Sequence, residues 1–190
     1  MNTRLVCVPA VAAGVLAAAV AVGGGACVPP TVSSEERAFA GCPQQPVTLS
    51  VVGAFGGTGP FHFQWRRHPR TLPVIVPIPN SDSPTWTIPS TFLSDAGQYD
   101  CVITGSCGTV TTPRYRLGVL TPDRASSGGT PGSDGQLTND DFIVFIDQFF
   151  ASDVRADIGR TGAESLPDGR FDNNDFIVFI GLFFDYPSCP

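Results

Sequence analysis

The stretch Asp95–Cys101, DAGQYDC, decides the fold of the first half of this chain. An Asp-x-Gly turn leads into a strand on which Tyr99 and Cys101 stand two residues apart and so share one face. A tyrosine just after such a turn can return its hydroxyl to the backbone upstream and pin a crossing between two sheets. Working outward, PVTLSVVGAF (46–55), FHFQW (61–65), TWTIP (85–89) and TVTTPRYRLGVL (109–120) all have strand character. Turn residues separate them at intervals of about 8–15 residues. No stretch of this region carries a convincing 3.6-residue period. Many short strands so spaced indicate an all-β sandwich over residues 41–120.

Trp65 and the Tyr99-x-Cys101 corner together resemble the immunoglobulin-like domains common in bacterial surface proteins. The resemblance covers about 80 residues and implies that Trp65 is the core indole of strand C. One position departs from the pattern: Val51 stands where the strand-B cysteine belongs. Cys101 then faces the core opposite Val51 as a thiol, or pairs elsewhere. Many bacterial relatives carry one cysteine before strand B and another after strand F. That resemblance implies a Cys42–Cys107 disulfide, with Cys42–Cys101 as the alternative.

The chain has 190 residues, 42% of them hydrophobic, enough for one folded domain or two small ones. Its net charge of −6 is uneven. Residues 121–190 hold 12 Asp/Glu and four Arg, whereas residues 1–120 are slightly basic. An acidic half attracts cations and repels phosphate backbones, so nucleic acid is not an expected partner. At the N-terminus, Arg4 precedes an apolar run from Leu5 to Val22 and the small residues Gly23–Ala26. This reads as a secretory signal over residues 1–27, which places the protein outside the cell or on its surface. Membrane contact would need an uncleaved signal or a lipid on Cys27. Residues 28–40 read as a polar linker. After export, Cys42, Cys101, Cys107 and Cys189 form an even set suited to disulfides. No CxxC or His/Cys cluster suggests zinc.

The second half is a repeat. DFIVFI occurs at Asp141–Ile146 and again at Asp175–Ile180, 34 residues apart. The same offset relates Asp123 to Asp157, Gly128 to Gly162, Asp134-Gly135 to Asp168-Gly169, and Phe149-Phe150 to Phe183-Phe184. The module therefore covers residues 121–190 and takes in what first looks like linker. In an EF-type calcium loop the fifth, seventh and twelfth positions supply oxygens and the sixth is Gly. Asp134, Gln136 and Asp141 fit these places around Gly135, as do Asp168, Arg170 and Asp175 around Gly169. The first half of each loop is altered. Asp123 and Asp157 can serve as first ligands if the intervening residues bulge outward, since loop expansion is thermodynamically mild. After each loop, Phe142, Phe145, Ile146, Phe149 and Phe150, and likewise Phe176, Phe179, Ile180, Phe183 and Phe184, fall on one helical face. Asp141 and Asp175 lie at the helix N-termini, where carboxylates are favoured.

Paired loop-helix repeats ending near a cysteine, as in DGRFDNNDFIVFI and the terminal SCP, resemble the dockerin-like modules of exported planctomycete proteins. The resemblance implies a small all-α module that binds Ca²⁺ and docks a protein partner, cohesin-like or a cell-surface component. It places the partner contact at Asn139 and Asp140 and at Asn173 and Asn174. Nothing points to catalysis. His62 and His68 have no Ser or Asp arrangement for nucleophilic chemistry, and Arg66, Arg67 and Arg70 read as a solvated basic loop. The expectation is a non-catalytic exported protein, with an immunoglobulin-like sandwich and a calcium-dependent docking module. The alternative is a structural surface protein with a metal-free repeat.

Overall fold

The computed structural model describes residues 26–51, 56–69 and 74–185. The expected signal up to residue 25, Val52–Phe55, Arg70 and Cys189 lie outside these. Among the described residues no helix is long and apolar enough to cross a membrane.

The first half is a two-sheet sandwich. It contains β1 (Arg37–Gly41), β2 (Val47–Ser50), β3 (His62–His68), β4 (Val76–Pro77), β5 (Thr85–Ile88), β6 (Gly97–Gly105), β7 (Gly108–Thr111) and β8 (Tyr115–Val119). One sheet runs in the order β1-β8-β6-β3-β4, with β7 also paired to β6; the other is the antiparallel pair β2-β5. β1 joins β8 in parallel, from Arg37 opposite Tyr115 to Gly41 opposite Val119. β7 and β8 run along the same side of β6 and are interrupted at Pro113, which has no N–H to give the ladder. Thr112 bridges the break: its N–H reaches the Cys101 carbonyl at 2.9 Å and its hydroxyl accepts from the Cys101 N–H at 3.0 Å.

The core lies between the sheets. Val47, Leu49 and Ile88 come from one side, and Trp65, Tyr99, Cys101, Ile103, Tyr115 and Leu117 from the other. Trp65 is fully buried and its Nε1 donates to the Ser83 carbonyl at 2.9 Å. The Tyr99 hydroxyl donates to the Asp95 carbonyl at 2.6 Å, four residues upstream, and its ring lies 5.6 Å from Trp86. This is an immunoglobulin-like sandwich, with the tyrosine corner and core tryptophan at the expected residues. Cys101 is a free, buried thiol opposite Trp65, in one core cluster with Val51, and burial raises its pKa to about 12.

Three expectations change. Arg37–Ala40, read as linker, is strand, because the RAFAG segment gains a hydrogen-bonded edge along β8 that no local pattern reveals. Cys107 pairs with Cys27, not Cys42, at a Cα separation of 5.5 Å. Cys42 follows Gly41 beside the end of β8, whereas Cys107 is in the β6–β7 turn at the far end of the nine-residue β6. Nine strand residues span about 30 Å, beyond any disulfide. The Cys27 side instead runs past that turn, where Val28 and Thr58 exchange hydrogen bonds and Thr31 bridges Gly56. Cys27, expected at the signal's end, thus belongs to the folded domain, and Cys42 is held in a separate disulfide. Finally, the basic run is structural. Arg66 grips the buried Asp100 with two bonds of 2.7 Å, and His68 reaches the same carboxylate at 2.8 Å. Arg67 donates to the Ser94 and Ala96 carbonyls.

The second half adds β9 (Ala125–Ser126) paired with β10 (Thr130–Pro131), then α1 (Asn139–Phe150) and α2 (Asn173–Phe184). Each helix opens with a capping box, Thr138 with Asp141 and Asp172 with Asp175. Phe145 stacks on Phe179 with centroids 3.8 Å apart, and Phe142 touches Phe176, Phe179 and Phe183 edge-on or tilted. The buried stripe differs from the expected one. Asp141, Val144, Phe145 and Gln148 are inside on α1, whereas Phe150 and Phe184 are 79% and 75% exposed. Leu120 and Ala40 from the sandwich join this second core, so the two halves share buried surface. Gly118 allows the approach: a Cβ there would meet the Asp157 carbonyl at 3.1 Å and the Pro167 ring at 3.2 Å.

Candidate functional site

The repeat's acidic residues meet backbone amides. Asp123 Oδ1 accepts from the Asp134 N–H at 3.2 Å, and its Oδ2 accepts from the Gly135 N–H at 2.8 Å and the Ser133 hydroxyl at 2.7 Å. Asp157 does the same one repeat later, taking the Asp168 and Gly169 N–H groups at 2.9 Å each. Both glycines have positive φ, 80° and 83°, a conformation that places successive amides toward one carboxylate. Asp134 and Asp168 each accept from the backbone N–H two residues on, that of Gln136 and that of Arg170, at 2.9 Å. The side chains of Gln136 and Arg170 are exposed.

The carboxylates at the helix starts close the loops. Asp141 Oδ1 accepts from the Arg124 and Ala125 N–H groups, both at 2.7 Å. Its Oδ2 accepts from the Thr138 N–H at 2.8 Å and the Thr138 hydroxyl at 3.3 Å. Asp175 Oδ1 accepts from Ile158 and Gly159 at 2.8 Å each, and its Oδ2 from Asp172 at 3.0 Å. Each loop thus carries a double clamp. One carboxylate at the loop start holds the DG turn, and one at the helix start holds the residues that follow the first. Burial raises the Asp157 pKa to about 7 despite those amides and shifts Asp175 upward for the same reason.

The two helix-start carboxylates, Asp141 and Asp175, do not fit the twelfth place of the calcium loop expected of them. A Ca²⁺ ion takes six to eight oxygens, and a twelfth-position carboxylate would have to turn free lone pairs toward it. The four lone-pair sites of Asp141 meet four donors instead, and Asp175 is fully buried against three. Among the described residues no three His, Cys, Asp or Glu side chains converge as a metal site.

Arg124 and Gln148 were not singled out from the sequence. Arg124 is fully buried, with its guanidinium 5.1 Å from the Phe145 ring and 5.4 Å from the Phe179 ring. Nη1 donates to Gln148 Oε1 at 3.0 Å and to the Arg155 carbonyl at 2.7 Å. Arg124 Nε and Nη2 and Gln148 Nε2 are buried without a partner among the described residues. Burial first, and then Arg155, lowers the Arg124 pKa to about 9. The signal was present in the repeat register, which sets Arg124 against Ile158 and Gln148 against Leu182.

The outer helix faces repeat as well. Asn139, Ile143, Asp147 and Phe150 are exposed along α1, and Asn173, Ile177 and Phe184 along α2. Ile143 and Ile177 are 55% and 47% exposed. Of the residues expected to contact a partner, Asn139 and Asn173 begin these stripes. Asp140 is half-buried, and Asn174 is tied inward, with Nδ2 donating to Asp172 at 2.8 Å.

No protein-family model matches the chain, and no curated protein matches it. Among solved structures, the N-terminal four immunoglobulin domains of Dscam1 isoform 6.44 align with 50% of this chain at 18% identity, with a TM-score of 0.43. Sidekick-1 immunoglobulin domains 1–5 align with 49% at 22% identity, with a TM-score of 0.39. The chain spans 26% and 18% of those two structures. The likeness concerns the fold of the sandwich alone.

Proposed function

We propose that this is a non-catalytic exported protein whose sandwich is a binding or spacer unit and whose C-terminal repeat docks onto a protein partner. One observation carries the reading. Two exposed apolar pairs, Ile143 with Phe150 and Ile177 with Phe184, recur on two helices at the 34-residue offset. Isolated exposed apolar residues need no explanation, but the same pair presented twice on one module suggests contact. Asn139 and Asn173 extend both stripes toward the helix N-termini. The disulfide from Cys27 to Cys107 supports export into an oxidising compartment. Calcium dependence of that docking is what the resemblance implied: a chelator that releases the partner would support it, and docking that survives the chelator would agree with the carboxylate clamps.

The test replaces Ile143, Phe150, Ile177 and Phe184 with Asp in the full exported chain. Binding to cell-surface extract of the producing organism is followed as a saturable, self-competed signal. Loss of that signal with unchanged melting supports docking through the stripes. Absence of saturable binding by the unaltered chain favours the structural-protein alternative.

A further inference from the structure

The calcium loops expected from the sequence and the clamps found in the fold use the same carboxylates for different purposes. We propose that the repeat module is metal-independent: backbone amides hold the carboxylates that a divalent cation would hold in a calcium-loop module. This goes beyond docking, and either proposal can fail without the other.

The amides do the closing that an ion would do. Asp141 joins the start of its helix to Arg124 and Ala125, and Asp175 joins the next helix to Ile158 and Gly159. Asp123 and Asp157 join the loop starts to their DG turns, at residues 11 and 12 positions on. Every bond of the first clamp has its counterpart 34 residues later, apart from the added Ser133 and Thr138 hydroxyls. At the helix-start carboxylates an ion would compete with these N–H groups: Asp141 meets four donors and Asp175 three, so a bidentate grip on the ion there would require breaking clamp bonds.

The full exported chain is stripped with EGTA, then titrated with calcium and separately with magnesium. Melting is followed by circular dichroism and binding by calorimetry. The expected result is a melting temperature unchanged to about 1 °C and no saturable heat, since a ligand specific to the folded state must raise the midpoint. A saturable rise with calcium overturns the proposal. Two variants sharpen it. Asp168→Asn keeps an oxygen for the Arg170 N–H while removing a charge, so melting should not move with or without calcium. A calcium response lost in this variant but present in the parent would overturn the proposal. Asp175→Asn sets an amide donor against N–H groups and should lower the midpoint by several degrees in EGTA. An unchanged midpoint there also overturns it. If that variant does not fold, the parent titration and Asp168→Asn still decide.

Discussion

Arg124 and Gln148 offer the sharpest test of how the second core is balanced, because the repeat has already replaced them once, with Ile158 and Leu182. Consider Arg124→Ile. It leaves Gln148 Oε1 and the Arg155 carbonyl without their donor, at about 1–3 kcal/mol for each buried acceptor. It also removes a guanidinium from over two rings, about 1 kcal/mol. Against these losses, the partnerless Nε and Nη2 donors vanish, and their desolvation penalty is of similar size. The expected net is a destabilisation of about 1–2 kcal/mol. Gln148→Leu alone strips Nη1 of one acceptor and should also lose about 1–2 kcal/mol.

The double variant behaves differently. With both side chains apolar, only the Arg155 carbonyl is left without its donor, and Gln148 Nε2 no longer lacks a partner. Buried polar pairs replaced together by apolar residues are often neutral or stabilising, whereas breaking one partner is not. The double variant should therefore regain the parent's stability or exceed it, a coupling of about 2 kcal/mol between adjacent sites. In a chain of this size 1 kcal/mol moves the melting midpoint by about 2–4 °C. Urea unfolding of the parent, both single variants and the double variant, followed by circular dichroism, gives the cycle. Additive losses, with the double variant least stable, would refute the reasoning. They would mean that Asp141 and Asp175 need the Arg124 charge whatever stands at position 148.

Other expectations follow from the same geometry. Asp157 is raised from its ordinary 3.8 to about 7 by burial, and Asp175 is shifted the same way, so the folded state binds the extra protons. Stability is then fully present below about pH 4 and falls as pH rises to about 7, by at most about 4 kcal/mol for Asp157; a melting series across this range that rises instead would contradict it. Tyr99→Phe removes the bond to the Asp95 carbonyl and should lower stability by about 1 kcal/mol in urea titration, with the sandwich otherwise intact. Cutting the Cys27–Cys107 bond, which spans 80 residues, should lose up to about 4 kcal/mol, read as the urea midpoint of Cys27→Ser. The Cys101 thiol, buried and with its pKa raised to about 12, should react with a maleimide only when the chain unfolds.

What the sequence disclosed, and what it withheld, divides along the range of the interactions concerned. DAGQYDC and Trp65 specify the sandwich because a tyrosine corner is local: the Tyr99 hydroxyl closes on a carbonyl four residues away. β1 was hidden because its partner, β8, is about 80 residues further on, and RAFAG carries no alternation strong enough to mark a strand alone. The Cys27–Cys107 pairing was hidden for the same reason, since it depends on which end of β6 each cysteine reaches. The helices were legible from their period, but not their rotation, because burial of the polar Asp141 and Gln148 turns Phe150 and Phe184 outward.

The loops are a harder case. An Asp before a DG turn and an Asp at the third helical position serve a calcium loop and an amide clamp equally well. Both demand a carboxylate beside a glycine of positive φ and another beside a helix N-terminus. The difference lies in the residues after the first Asp. In the fold, Arg124-Ala125 and Ile158-Gly159 turn two N–H groups each into the helix carboxylate, and Gly159 could not be larger, since a Cβ there would meet the Asn174 carbonyl at 2.5 Å. Gly159 can therefore be read as the residue that lets the second loop close on its own helix. Gly159→Ala should open that clamp while leaving the first, which already has Ala125, untouched. The discriminating readout is hydrogen exchange: the Ile158 amide should lose protection in the variant while the Arg124 amide keeps it. Equal loss at both would mean that the two clamps open as one unit through the shared Phe145–Phe179 stack, rather than each through its own carboxylate.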